Sequence, residues 1–393
     1  MREGGFGSET PAHSVEIARP RRYLLVPMNA PALPTITDPS RAPTYREGSF
    51  SRWCTGLIYD ARDQVFVRLT LRMAAAMGAA MATLFVLLRV SGLPAWLPML
   101  CYLALWGYLV PPVILMLHNT MHRPFFRSRR LGLAHPYLMS FFFGIPSGYR
   151  EHHLGMHHFE DNLEEDLSST LRYRRDSFLH FLNYFLRFFL LVAIHLPLYL
   201  RRKKRLAMAR RAAWGEVVHE AVVVGVLLLD WRFGLAAFLA PLVVIRFMMM
   251  AGNWGQHAFI NTGRRNDGMA NAISCINSGY NRRCFNDGYH VGHHLKSNRH
   301  WTELPGDLAA NAALYAREGA IVFEGIDFFM VSVLLWTGQW GVLARRFVRL
   351  DGVPHSDEDV IAMLKSRVQP VRDWPQVKAS APAAAVEAAS TAA

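Results

Sequence analysis

The sequence is poor in cysteine, and its few cysteines are not paired. Cys54, Cys101, Cys275 and Cys284 form no CxxC motif, which argues against a rubredoxin-type iron site, a zinc ribbon or a disulfide framework. Acidic residues are also scarce, since 30 of them face 43 lysines and arginines and the formal net charge is +13. This positive charge lies beside long apolar runs, which indicates that the basic residues contact anionic lipid head groups. We therefore expect no nucleic-acid partner.

Apolar runs dominate the middle of the chain, and 52% of all residues are hydrophobic. Residues 69–90 and 96–117 each approach the roughly 20 apolar residues that cross a bilayer. Residues 233–252 form a third candidate, and residues 214–229 form a shorter fourth. The sequence thus predicts an all-α integral membrane protein with about four transmembrane helices, located in a bacterial-type inner membrane or its equivalent.

Two further apolar stretches, residues 131–148 and 178–200, have basic residues on both sides. If residues 178–200 crossed the membrane once, one basic cluster would lie outside, against the positive-inside rule. We therefore expect both stretches to form interfacial or re-entrant helices. A six-span arrangement, in which both stretches cross, is the alternative.

Composition divides the chain into three parts. Residues 1–60 predict a flexible cytoplasmic N-terminal arm, because their first fifty are rich in proline, arginine, serine and threonine. Residues 61–345 predict one membrane domain. Residues 346–393 form a C-terminal segment that ends in a low-complexity tail.

Nine of the 17 histidines fall into four short motifs. The motifs are HNTMH (His118, His122), HLGMHH (His153, His157, His158), NWGQH (His257) and HVGHH (His290, His293, His294). On a helix, His118 and His122 share one face, and the same spacing relates His153 to His157. His290 and His293 are also about one turn apart. Pairs of this kind can present two nitrogens to one metal.

Histidines outside the motifs have simpler interpretations. An isolated histidine on an apolar helix is usually a satisfied buried residue or a polar residue at the level of the lipid head groups, and we interpret His135, His180, His195 and His219 as structural residues of this kind. The adjacent His152 and His300 stay open between the two interpretations. Ionisable residues near a membrane are expensive and usually functional, so the nine clustered histidines predict one shared site.

The predicted topology can bring all four motifs to one side of the membrane. His118 follows two crossings, and His257 follows a second pair of crossings, so both lie on the side of the N-terminus. The arginines after the second span and the cluster Arg201–Arg205 fall on the same side. The positive-inside rule makes this side the cytoplasm. We therefore expect a cytosolic, histidine-rich helical cap, with both termini facing the cytoplasm.

The number of histidines limits the choice of metal. Imidazole binds zinc, copper, iron and nickel, but one zinc takes only three or four protein ligands. Nine imidazoles suit two six-coordinate metals with positions left open for oxygen, and redox iron fits best. A membrane zinc hydrolase is one alternative. A metal transporter is another, although its histidines should lie at the bilayer midplane, and a non-enzymatic lipid-binding protein leaves the motifs unexplained.

The HxxxH, HxxxHH and HxxHH boxes, with an extra histidine before the last, resemble the membrane fatty acid desaturase/alkane hydroxylase superfamily over roughly residues 60–310. The resemblance implies that residues 61–345 form a desaturase-like catalytic domain that binds two iron ions and uses O2 as co-substrate. It assigns the role of metal ligand to His118, His122, His153, His157, His158, His257, His290, His293 and His294.

The resemblance leaves several reactions open. The three-residue gap in HLGMHH is typical of the alkane-hydroxylase-like branch, whereas residues 285–301 are similar to bacterial desaturases. We expect an O2-dependent oxidoreductase acting on a fatty acid or fatty-acyl lipid, most simply a desaturase. A hydroxylase and a 1-alkene-forming fatty acid decarboxylase are the alternatives. The reaction implies an external electron donor of the ferredoxin, rubredoxin or cytochrome type, with its reductase.

Acidic residues beside the boxes are candidates to orient the ligands, because a ligating histidine usually donates its other N–H to a carboxylate or carbonyl. Glu160 and Asp166 lie near the second box. Asn253 precedes His257 by one helical turn and could approach the metal directly or through water. The candidates that we select are Glu151, Asp161, Asp287 and Asn253.

Overall fold

The computed structural model describes residues 33–90, 92–264, 267–351 and 355–371. These residues are mostly helical, which confirms the predicted fold class. The α-helical segments are α1 (Ser49–Leu57), α2 (Gln64–Val90), α3 (Trp96–His122), α4 (Arg129–Phe143), α5 (Tyr149–His152), α6 (His158–Glu160), α7 (Phe178–Arg202), α8 (Leu206–Leu229), α9 (Trp231–Gly234), α10 (Ala240–Gln256), α11 (Gly268–Asn271), α12 (Gly279–Arg283), α13 (His290–Leu295), α14 (Leu304–Ala310), α15 (Ala312–Arg317), α16 (Phe328–Trp336), α17 (Trp340–Arg346) and α18 (Asp357–Arg367). Two π-helical segments, His153–His157 and Leu235–Leu239, join α5 to α6 and α9 to α10.

Five helices among the described residues are long and apolar enough to cross a membrane. They are Ala61–Val90, Trp96–His122, Phe178–Arg202, Leu206–Leu229 and Trp231–Gln256. Four of them coincide with the four predicted spans, and the fifth is α7, which was predicted to be interfacial or re-entrant. The chain is therefore an integral membrane protein.

The four predicted spans form two hairpins whose turns meet. Asp230 begins α9 by accepting a hydrogen bond from the backbone N–H of Phe233, which sharply reverses the chain after α8. The Asp230 carboxylate also lies 2.6 Å from Nη2 of Arg89, near the end of α2. The turns of both hairpins therefore lie at the same end of the bundle, and the histidine-bearing ends of α3 and α10 lie at the other end.

Helix α7 contacts the histidine end of the bundle near both of its own ends. The Tyr184 hydroxyl donates to the Ser168 carbonyl at 3.2 Å, while Lys203, just after α7, pairs with Glu160 at 2.9 Å. Residues 160–168 directly follow the second histidine box, so both ends of α7 lie in one layer although the helix is about 37 Å long. These contacts favour the interfacial placement of α7.

Helix α4 is too short to support the six-span alternative. Its 15 residues begin after the N-cap Ser128 and end at Gly144, where a positive φ of 73° terminates the helix. A helix of this length extends about 22 Å, against about 30 Å for the hydrocarbon core of a bilayer. Residues 131–148 therefore do not cross as one helix.

The part of the chain after α10 contains a small sheet that the sequence analysis did not predict. Strands β1 (Ile273–Ile276) and β2 (Ile321–Glu324) pair in parallel, with Ile273 opposite Ile321. All four residues of β1 are buried, and the strand packs against α13, which carries the last histidine box. The sheet thereby fixes the position and orientation of α13.

The two terminal segments are only partly described. Residues 1–32 of the predicted N-terminal arm and residues 372–393 of the predicted C-terminal tail lie outside the described residues. Within 33–60, Asp38 is buried and accepts hydrogen bonds from Tyr289 (2.8 Å) and Asn281 (2.9 Å). This part of the predicted arm therefore packs directly behind His290.

Candidate metal centre

The nine predicted histidines converge at the histidine end of the bundle and form two adjacent groups. The five-histidine group contains His118, His122, His153, His158 and His293. The four-histidine group contains His157, His257, His290 and His294. Within each group, the potential ligand atoms all lie within 4.8 Å of one another. Four separate segments of the chain thus supply one bipartite site.

The Nε2 atoms of the five-histidine group face one another. Those of His118 and His293 are 3.1 Å apart, those of His293 and His158 are 3.1 Å apart, and those of His122 and His153 are 2.8 Å apart. Imidazole nitrogens bind transition metals at about 2.0–2.1 Å, so neighbouring octahedral ligands lie about 3 Å apart. The spacing of these nitrogens fits shared coordination of one metal ion.

The second box does not follow the α-helical geometry that its spacing predicted. We expected His153 and His157 to share one metal, but the π-helical segment turns them to different groups. His153 pairs instead with His158, with their Nε2 atoms 3.1 Å apart. A π-helical turn brings residues five apart onto one face, so this box contributes two histidines to one group and His157 to the other.

The last box also divides differently from the prediction. His290 and His293 were expected to face one metal, whereas His293 belongs to the five-histidine group and His290 to the four-histidine group. The partner of His290 on α13 is His294, whose Nε2 lies 2.9 Å away. Helix α13 therefore stands between the two groups and contributes ligand atoms to both.

In four of the histidines the second ring nitrogen, Nδ1, lies within hydrogen-bond distance of an acceptor oxygen. Nδ1 of His118 lies 2.9 Å from Asp287, that of His157 lies 2.8 Å from Asp166, and that of His294 lies 2.9 Å from Asp161. His257 donates instead to a backbone oxygen, that of Asn271, at 2.9 Å. These bonds place the ring proton on Nδ1 and leave Nε2 free to bind a metal.

The four selected candidates differ in what their side chains contact. Asp161 and Asp287 contact histidines of the two groups. The fully buried Glu151 instead accepts hydrogen bonds from Tyr137 (2.6 Å) and Arg211 (2.9 Å). Its position beside His152 in sequence was misleading, because the helix turns its side chain away from the metal site. Asp166, which lies near the box but was not selected, holds His157 instead.

The side chain of Asn253 contacts residues behind the histidine groups and not the histidines themselves. Its amide nitrogen donates to the Ser168 carbonyl (3.0 Å) and to the Tyr184 hydroxyl (2.7 Å). Ser168 in turn donates to Asp166 through its backbone N–H (2.8 Å) and its hydroxyl (2.6 Å). Asn253 thus supports the loop that orients His157.

At four of these histidines the electrostatics favour the neutral imidazole. Burial, followed by the charge of neighbouring histidines, holds the pKa of His153, His158, His290 and His293 well below the ordinary value. A neutral imidazole has the lone pair that a metal requires. At His157, burial would lower the pKa, but the adjacent Asp166 carboxylate raises it.

A third group of possible ligands, Asp60, Asp63 and His300, was not predicted. Nε2 of His300 lies 3.0 Å from Asp63, but Asp60 is paired with Arg62 (2.8 Å) and Arg123 (2.6 Å). Burial would raise the pKa of Asp60, and hydrogen bonds from the two arginines hold it well below its usual range. We interpret this group as an ion-pair network that ties the start of α2 to the segment after the last box.

A comparison with protein families identifies a match for the region that carries these histidines. The family model described as fatty acid desaturase matches residues 94–325, more than half of the chain. The matched region extends from the start of α3 to the end of β2 and includes all nine histidines. A search of curated proteins finds no match for this chain.

Proposed function

Because the chain belongs to the fatty acid desaturase family, we propose that it is a membrane-bound di-iron enzyme that uses O2 to introduce a double bond into a fatty acid or fatty-acyl lipid. The observation that carries this proposal is the pair of histidine groups, whose Nε2 atoms converge at the spacing of shared ligands. In this proposal, the nine histidines are the ligands of the two irons.

The chain's own residues hold and shield this site. Bound iron would supply the reduction of O2 and the oxidation of an unactivated C–H bond. Asp287, Asp166 and Asp161 orient three of the ligands, and the buried side chain of Trp254 packs one turn before His257. Buried positions at the ligands keep water from the reacting groups.

The reaction requires electrons, and we propose that a separate ferredoxin, rubredoxin or cytochrome-type protein supplies them. Electron donors of this kind are often acidic, so the basic cluster Arg201–Arg205 is a candidate surface for attracting one. In the structure, Arg202 pairs with Glu165 (2.8 Å) and Lys203 pairs with Glu160 (2.9 Å). These pairs reduce the net positive charge of the cluster, so its contribution to steering a donor is smaller than the sequence predicts.

The site is proposed to face the cytoplasm. The arginines that follow α3 and those around the α7–α8 turn lie at the histidine end of the bundle, as the positive-inside rule requires for a cytoplasmic surface. The opposite end carries the two hairpin turns, where Arg89 is neutralised by Asp230.

The first test measures metal content on detergent-purified protein. We expect about two irons per chain, falling in His157→Ala and in His293→Ala, which each remove one ligand from a different group. His195→Ala, an exposed histidine of α7, is the matched control and should retain both irons. A single tightly held zinc, or metal content independent of these histidines, would overturn the di-iron proposal.

The second test identifies the product. Purified enzyme is supplied with fatty acids or acyl lipids, O2, a reductase and a donor protein. A desaturase yields an unsaturated product of unchanged carbon number. A hydroxylated product or a 1-alkene one carbon shorter would replace desaturation by one of the two alternatives while leaving the metal site in place.

A further inference from the structure

A groove between α7 and α8 lies on the outer face of the helical bundle. Its volume is about 600 Å³, and its walls are mainly alanine, proline and aliphatic side chains. Leu198 of α7 and Trp214 of α8 line it and expose 54% and 68% of their surface. Tryptophan is enriched where a membrane protein meets the lipid head groups, so the groove has the composition of a lipid-facing surface.

Two arginines interrupt this apolar lining. Arg201 lies at the end of α7 and Arg210 lies in the second turn of α8, and both line the groove. Among the described residues, neither guanidinium has an ion-pair or hydrogen-bond partner. Their sequence neighbours differ, since Arg202 pairs with Glu165 (2.8 Å) and Arg211 with Glu151 (2.9 Å). The two groove arginines are thus exposed cations of this basic cluster without an internal counter-ion.

We infer that the groove binds one anionic phospholipid of the surrounding bilayer. Its phosphate would lie between Arg201 and Arg210, because guanidinium groups bind phosphate through parallel charge-assisted hydrogen bonds. One acyl chain would lie along the apolar wall. Basic pockets between membrane helices on the cytoplasmic side recognise lipid head groups by this combination of charge and apolar contact.

The groove is separated from the metal centre, which argues against its being the binding site of the reacting chain. A neighbouring cavity shares Ala193 and Pro197 with the groove and extends to His152 and Glu216. Its volume is about 20 Å³, enough for about one water molecule. This cavity is too small for an acyl chain, so among the described residues the route from the groove past His152 is closed.

Contacts of the α7–α8 turn link the groove to the second histidine box. Arg205 donates to the Gly155 carbonyl at 2.5 Å, and a Cβ on Gly155 would lie 2.8 Å from Leu200 and from Met208. The turn that joins α7 to α8 thus packs directly on the π-helical segment. A lipid that holds α7 against α8 would therefore also stabilise the segment that carries His153, His157 and His158.

The test counts lipids bound to the purified protein by native mass spectrometry, with phosphatidylglycerol and phosphatidylcholine as probes. Wild type should retain phosphatidylglycerol in preference to phosphatidylcholine. The variant Arg201→Gln/Arg210→Gln should lose this preference, with about tenfold weaker binding of phosphatidylglycerol. Arg202→Gln/Lys204→Gln removes the same charge from exposed positions next to the groove and should keep the preference. Equal losses in both double variants would overturn a specific site.

A second variant tests the groove itself without changing charge. Ala213→Trp fills part of the apolar wall and should also reduce phosphatidylglycerol binding, whereas a diffuse electrostatic attraction would be unaffected. Retained binding in this variant would overturn the proposal. Oleate is added as a competitor, because a free fatty acid is another source of an anionic head group. Displacement of phosphatidylglycerol by oleate at equal concentration would replace the phospholipid by a free fatty acid and overturn the proposal.

Discussion

Nε2 of His153 lies 3.1 Å from Nε2 of His158, although the two residues are five positions apart. In an α-helix, residues five apart point about 140° away from each other. The π-helical segment His153–His157 removes this divergence and turns His157 towards His257 and His294. This local change of helix type is what allows one box to contribute histidines to both groups.

The pairing can be tested by comparing two double variants. His153→Ala/His158→Ala removes ligands only from the five-histidine group and should leave about one iron per chain. His153→Ala/His157→Ala removes a ligand from each group and should leave less iron than the first variant. Metal analysis of purified protein measures the difference. If the second variant retained more iron than the first, the grouping of these histidines would be wrong.

Asp166 is predicted to set the affinity of the four-histidine group. Its carboxylate holds Nδ1 of His157 at 2.8 Å and is itself held by Ser168. Asp166→Asn should weaken iron retention by about 10- to 100-fold, because such a partner fixes the ring and its tautomer. Glu164→Gln, an exposed acid two residues earlier, is the control. The measurement is iron loss to a chelator, and equal rates in the two variants would contradict this role.

Much of the metal site was predictable from the sequence because its signals are local. The spacing of His118 and His122 predicts a shared helix face, and the structure places both in the five-histidine group. The even number of crossings before His118 and before His257 predicts that the motifs meet at one end of the bundle. The contact between Arg89 and Asp230 shows the two hairpins that this prediction required.

The division of the nine histidines between the two groups could not be predicted, since it depends on contacts that are distant in sequence. Nothing in HLGMHH marks a π-helical turn, which here packs under Leu200 and Met208 from another part of the chain. Glu151 and Asp166 are both acids close to the same box, and only the fold shows that Glu151 turns to Arg211 while Asp166 turns to His157. The strand behind α13 likewise pairs with residues almost fifty positions later.

Close packing of α10 on α16 predicts a glycine requirement near His257. A Cβ on Gly255 would lie 2.2 Å from the Phe328 carbonyl oxygen, whereas a Cβ on Gly252 would meet nothing within 4 Å. Gly255→Ala should therefore destabilise the protein by about 1–3 kcal/mol and reduce iron retention at the four-histidine group. Gly252→Ala, on the same helix, should be neutral or slightly stabilising. Thermal unfolding and iron content of the two variants provide the comparison, and matching values would contradict the requirement.

Glu216 of α8 and Arg246 of α10 form an ion pair. We predict that losing one of the two charges destabilises the protein much more than losing both. Both side chains are buried, and their charged atoms lie 2.6 Å apart. Arg246→Met leaves a buried carboxylate without its partner and should cost about 3–5 kcal/mol. The double variant Glu216→Gln/Arg246→Met removes both charges while an amide oxygen can still accept from the Gly148 N–H, as Glu216 does. It should recover at least half of the loss in thermal unfolding, and a double variant as unstable as the single one would show that the charges are not coupled.

His135 is predicted to make stability depend on pH. Burial lowers the pKa of this histidine to about 4 in the folded protein, below the value of about 6.5 in an unfolded chain. The folded state therefore favours the neutral ring. The contribution of His135 to the free energy of unfolding is complete above about pH 6.5 and is lost as the pH falls towards 4. At pH 5 the loss should approach about 2 kcal/mol. His135→Gln should flatten the pH dependence of the free energy of unfolding relative to wild type, whereas His195→Gln, at an exposed position, should not. Because iron release affects all three proteins alike, the difference between their slopes isolates the ring of His135, and parallel slopes would mean that this ring does not titrate with unfolding.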